Sequence, residues 1–228
     1  MGYSPTYAGN PWLAANQSAD IPHALNCSIF IVNLPPALTV HGLIRALHTM
    51  GPLGRIFAIH INSPELTRGH QGCAAKVVFF KREVAHAFMT ACEDRGGFYV
   101  ESQKARVMWN RIKSAENALL ADSDASRVLL IGGPGHIVNA AFLTEFFRSK
   151  LDFQLDEVLT KIDDPVRGTR VLEYRFGSFR CQAQAAKMAL AREFPDIRCF
   201  FHKDPLEHGA WNPNEYGAAP DAFKPLSL

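Results

Sequence analysis

The stretch Ile29-Phe30-Ile31-Val32-Asn33-Leu34-Pro35 aligns without a gap on Val128-Leu129-Leu130-Ile131-Gly132-Gly133-Pro134. A self-match of this kind fixes architecture before any motif does, because each copy must fold as one unit. Working outward, Leu43, Ile44 and Leu47 fall on Phe142, Leu143 and Phe146. Lys76-Val77-Val78-Phe79 then falls on Glu173-Tyr174-Arg175-Phe176, and Ala105 to Trp109 on Ile197 to Phe201. The copies lie one domain length apart, and 228 residues suit two such units.

Inside each copy the apolar period switches between 2 and 3.6, giving the order strand, helix, strand, strand, helix, strand. The first copy predicts strands over 28–33, 55–61, 74–80 and 105–110, with helices over 39–49, opened by Thr39 as a cap, and 82–92. The second predicts strands over 127–132, 156–162, 170–177 and 197–202, with helices over 139–149 and 180–193. This order builds an α+β, ferredoxin-like βαββαβ unit: a four-stranded antiparallel sheet with both helices on one face and the other face open. The expected organisation is an N-terminal arm over 1–26, a first domain over 27–113, a linker over 114–125, a second domain over 126–205 and a tail over 206–228. Arm and tail, the tail with Pro213, Gly217, Pro220 and Pro225, have little to bury and are expected to be mobile.

At 47% hydrophobic and 20% charged the chain has ordinary globular composition, and it lacks the roughly 20-residue apolar run of a membrane span. Its start has neither a basic nor an apolar segment, so no secretory signal is read and an intracellular protein is expected. Five scattered cysteines, without a paired spacing or a Cys/His rhythm, argue against structural zinc and a disulfide framework, and no metal or other cofactor is expected. The histidines, His41 and His48 on one helix and His136, His202 and His208 dispersed, form no ligand set. The near-neutral total of +2 hides an uneven distribution: residues 27–113 carry eleven Lys/Arg against five Asp/Glu, residues 126–205 twelve against ten. The first domain is the basic one.

On these residues the chain resembles the RNA recognition motif family. Ile29 to Leu34 look like its short first-strand motif, and Gly72-Cys73-Ala74-Ala75-Lys76-Val77-Val78-Phe79 like its longer third-strand motif, with Ala85 at the usual spacing into the second helix. The likeness covers nearly all of 27–113 and, more loosely, 126–205, and the run Tyr174 to Cys181 is also similar to fungal proteins with paired motifs. The resemblance implies single-stranded RNA as partner and a nuclear location. Each nucleobase offers a flat face, so the chemistry needs aromatic rings on the open sheet, where stacking contributes about 1–3 kcal/mol per base. By alternation, Phe30, Val32, His60, Lys76, Arg106, Met108 and Asn110 face outward in the first domain. Arg111 adds a cation, and Arg68 and His70 sit on the loop between the second and third strands. Ala74 and Lys76 stand where the family commonly has aromatics, so Phe30 is the one ring of three.

The second domain departs further. Val171, Glu173 and Arg175 are its outward third-strand residues, and a central carboxylate repels phosphate. Leu129, Ile131, Val171 and Phe200 make an apolar strip suited to a protein or interdomain contact. The alternative is an interaction scaffold in which both sheets bind protein. Gly132-Gly133-Pro134-Gly135 lacks the spacing and the Lys-Ser/Thr ending of a phosphate cradle and reads as a tight turn. The same topology carries small acyl phosphatases, but Asn33 has no arginine beside it in that turn and no nucleophile elbow occurs, so no enzyme is expected.

Overall fold

The computed structural model describes residues 20–207; the arm over 1–19 and the tail over 208–228 lie outside the described residues. The first half runs β1 (Ser28–Leu34), α1 (Val40–His48), β2 (Ile56–Asn62), β3 (Cys73–Phe79), α2 (Arg82–Asp94), β4 (Phe98–Val100) and β5 (Gln103–Trp109). A short linker helix, α3 (Ala118–Ala121), follows. The second half runs β6 (Val128–Pro134), α4 (Ala140–Arg148), β7 (Leu155–Asp164), β8 (Thr169–Phe176), α5 (Gln184–Glu193) and β9 (Arg198–His202). The sheet orders are β2-β3-β1-β5-β4 and β7-β8-β6-β9, antiparallel throughout. The periodicity misses β4, three residues too short to register, and the linker helix α3, and it opens the last helix at 180 where Arg180 is extended and α5 begins at Gln184.

Each helix is placed by its cap and its apolar stripe. Thr39 Oγ1 accepts from Gly42 N at 3.1 Å, and Val40, Leu43, Ile44 and Leu47 recur at helical spacing on the buried side. Asn139 does the same for α4, accepting from Phe142 N at 2.9 Å. Beneath the first sheet lie Ile29, Ile31, Ala75, Val77 and Phe79 with Phe88 and Phe98. Beneath the second lie Leu129, Ile131, Leu172, Tyr174 and Phe176 with Phe147.

Leu129 and Ile131 therefore do not belong to an exposed strip: both are fully buried against the helices. The reason is a β-bulge. In β1 the pairing with β3 shifts between Ile31 and Leu34, around Asn33, whose φ is +60°. β6 continues in unbroken register through Gly132, Gly133 and Pro134. The gapless match is thus right at the turn but one residue out along the strand, and Val128 and Leu130 take the outward positions. Gly132 and Gly133 also belong to the strand and not to a tight turn; a Cβ on Gly133 would lie 2.5 Å from Ile197 Cδ1.

The two halves are joined through buried polar groups. Arg127, fully buried at the start of β6, donates from Nε and Nη2 to the two oxygens of Asp204 at 2.9 and 3.0 Å, and from Nη1 to Asp156 Oδ2 and Phe176 O, both at 2.9 Å. Burial acts against its charge, and the two carboxylates more than offset that, holding its pKa above the ordinary range. Asp204 also accepts the Ile56 amide of β2 at 3.2 Å, and Asp156 meets His41 Nδ1 of α1 at 2.8 Å. After β9 the chain returns to the first half. Leu206 is buried in that core and its carbonyl accepts from Leu53 and Gly54, so the tail begins inside a domain it follows in sequence.

The linker is held as well. Arg55 donates to the carbonyls of Ala121, Ser123 and Ala125 and lies 4.5 Å from the centre of the Phe80 ring. At the N-terminal side, Lys113 Nζ donates to Ile21 O at 2.6 Å and Arg82 Nε to Ala24 O at 3.0 Å. No helix among the described residues is long and apolar enough to cross a membrane.

Asp204→Ala leaves a guanidinium buried with half its partners and is expected to lower unfolding free energy by about 3–5 kcal/mol in urea titration. A second expectation concerns pH. His48 is buried in α1 with neither ring nitrogen bonded among the described residues, and burial lowers its pKa from the ordinary 6.5, as it does for His202. A histidine held neutral in the fold binds its proton more readily when unfolded, so its stabilisation is present above 6.5 and lost as pH falls below it. Stability should therefore drop between pH 7 and 5, and His48→Phe should flatten part of that fall.

Candidate nucleic-acid interface

Cross-strand pairing arranges the open face of the first sheet in rows. The central row is His60, Lys76, Phe30 and Met108, from β2 through β3 and β1 to β5. Above it stand Asn62, Ala74, Val32 and Arg106; below it Ala58, Val78, Ser28 and Asn110. Phe30 is half-buried, its ring at the centre of the sheet and turned away from the core, as Ile29 and Ile31 on either side fill the core. Val32, Lys76 and Met108 are half-buried, while His60, Arg106 and Arg111 are exposed.

A cleft of about 680 Å³ opens at the upper end of this face. Phe30, Val32 and Ala74 form its floor, and Asn62, Gly69 and His70 its wall. Arg68 lies in the short helical turn Leu66–Arg68 that begins this loop, and a bridge between Glu65 and His70 closes it. Gly72 brings the loop back against β1; a Cβ there would sit 2.5 Å from Leu34 O, so only glycine fits. The Asn33 bulge is fastened on its other side, donating to Lys104 O at 2.8 Å and accepting from Gln103 Nε2 at 3.0 Å.

Asn110 differs from the other expected contact residues. Its side chain donates to Ser28 Oγ at 3.1 Å and accepts from Ile112 N at 3.0 Å, so it clips β5 to β1. Lys76 has its pKa lowered, first by burial and then by the charge of Arg180, a residue of the second domain that sequence reasoning did not bring to this face. No signal in the sequence could have done so, since Arg180 arrives only by packing between domains.

On the second sheet the positions matching Phe30, Lys76 and Met108 are Leu130, Glu173 and Phe200. Glu173 is buried and neutralised: Arg175 donates to it at 2.6 Å and on to Glu157 at 2.8 Å, and Lys161 approaches at 3.4 Å. Leu130, Val171 and Ile162 cluster beside this network. Phe200 is exposed on the outward face; Val171 shares that face but is buried against Leu130 and Ile162, and Leu129 and Ile131 face the core. Burial pushes the thiols of Cys27 and Cys92 up to about 11 and that of Cys199 to about 12, so these three stay protonated at neutral pH.

Each half is a ferredoxin-like βαββαβ unit, an antiparallel sheet with its helices on one face, the first carrying β4 as an added edge strand next to β5. No family model matches the sequence, and no curated protein is similar to it. Among solved structures the chain is similar to RNA recognition domains 1 and 2 of Sex-lethal from Drosophila melanogaster, at 16% identity and a TM-score of 0.29 over 78% of this chain and 100% of that one. It is likewise similar to the first two such domains of a yeast poly(U)-binding protein, at 16% identity and a TM-score of 0.31 over 78% and 99%.

Asn110→Ala is expected to cost about 1 kcal/mol in thermal or chemical unfolding, the usual net value of a partly buried hydrogen bond. Arg106→Ala, exposed on the same strand, should leave stability unchanged.

Proposed function

We propose that the protein binds single-stranded RNA across the first sheet, with one base stacked on Phe30 and backbone phosphates near Lys76, Arg106 and Arg111. The observation that carries this reading is the placement of Phe30, a ring facing outward from the centre of the sheet, at the floor of a cleft and directly opposite a lysine. A ring fixed on a strand offers its face at little entropic cost, and a base of any identity can use it. The cleft wall supplies polar groups, including His70 and Asn62, for base edges. The resemblance of the sequence to RNA recognition motifs supports the same ligand, and with it a nuclear place of action.

The second domain is read as a brace. Leu130 stands where the first domain has the ring of Phe30, and Glu173, paired with Arg175, stands where it has the cation of Lys76. The second domain meets the first through Asp156, Ser178 and Asp204, which bond His41, Ile59 and Ile56. Phe200, exposed on the outward face of its sheet, remains a candidate for a protein partner.

Fluorescence anisotropy with a labelled random-sequence RNA octamer tests the proposal. Phe30→Ala should weaken binding about fivefold or more, the lower end of a lost stacking contact. Lys76→Glu should weaken it further and reduce its salt dependence. Wild-type affinity in both variants would discard RNA binding by this face and favour the scaffold reading, in which partners from lysate survive nuclease treatment.

A further inference from the structure

We infer that Arg180 of the second domain and Lys76 of the first form a single phosphate-binding site across the domain junction. The inference rests on the reading of Phe30 as the base platform, and it adds a contact that no isolated first domain would have.

The path of the chain brings Arg180 there. Leaving β8, Ser178 docks on the outer edge of β2: its Oγ accepts from Ile59 N at 2.8 Å and donates to Ile59 O at 3.0 Å. Phe179 is buried next, its ring 5.8 Å from that of Phe57 and 5.3 Å from that of Phe80. Two anchors in succession therefore fix the backbone on the first domain. Arg180 then takes an extended conformation, with φ −66° and ψ 134°, and Cys181 turns the chain back at φ +62° so that α5 can start. Arg180 itself stays exposed. On β2, Ile59 is followed by His60, which stands directly opposite Lys76. The docking thus brings Arg180 to the side of β2, the strand that carries His60 opposite Lys76, and its charge is felt at Lys76.

Charge then defines the ligand. Arg180 and Lys76 are close enough for one to disfavour the charge of the other, and Lys76 is already penalised by burial. Among the described residues neither has an ion-pair partner. Two cations held together in this way without a carboxylate between them are relieved by an anion. A phosphodiester fits, because it offers acceptors to the planar guanidinium and to the ammonium at once, one strand away from the ring that would hold its base. The RNA would then run from Phe30 over β3 towards the second domain.

The test uses the full chain, a labelled random-sequence RNA octamer and a salt series. Arg180→Glu should weaken binding about tenfold and reduce the slope of log affinity against log salt by about 0.7, the value for one contact on a single strand. Arg180→Lys should keep the slope, which separates charge from any effect on folding. If Phe30→Ala weakens binding while Arg180→Glu leaves affinity and slope at wild-type values, the junction site is overturned and base stacking stands. If both variants match wild type, or if wild type does not bind, both readings fall.

Discussion

Arg127 sits where the linker becomes β6, without access to water, and divides its guanidinium between Asp204, Asp156 and the carbonyl of Phe176. Each acceptor reaches elsewhere. Asp204 holds the first amide of β2, and Asp156 meets His41 on α1. Desolvating such a cluster offsets much of its Coulombic gain, so its net contribution to stability is small even though breaking it is costly. What it decides is arrangement: Arg127 is satisfied only when β7, the end of β8 and the segment after β9 come together around it. The two carboxylates it holds in place are the ones that bond Ile56 and His41 of the first domain.

The arrangement has consequences at the edge of β2. A free sheet edge exposes unpaired amides and carbonyls and invites pairing with other chains. Here Ser178, Asp204 and the packed ring of Phe179 occupy that edge. Among the described residues Phe30 stays partly exposed on the open face, and the same contacts bring the charge of Arg180 near enough to act on Lys76. The covered edge of β2 and the nearness of Arg180 to Lys76 are thus two results of one interface.

The two sheets share a topology and divide their chemistry by three substitutions. A ring, a cation and a methionine cross the middle of the first; a leucine, a carboxylate and an exposed phenylalanine cross the middle of the second. Glu173 is tolerated in its buried position because Arg175 and Lys161 neutralise it. With its central charge already satisfied from within, that face has no cation left at the position where the first has Lys76.

Element order, strand alternation in the first domain and the outward row of His60, Lys76, Phe30 and Met108 were legible in the sequence, because period and spacing are local properties of the chain. The outward placing of Leu129 and Ile131 failed for a physical reason: one extra residue at Asn33 forms a bulge that a gapless match cannot see, and a shift of one residue turns every side chain of a strand over. Asn110 could be placed on its face but not distinguished as a clip, since its partner Ser28 lies on another strand. Arg127, Arg55 and Arg180 read as surface charges in a linear pattern. Only the packing of residues far apart in sequence decided that the first holds the carboxylates that meet the first domain, that the second fastens the linker, and that the charge of the third is felt at Lys76.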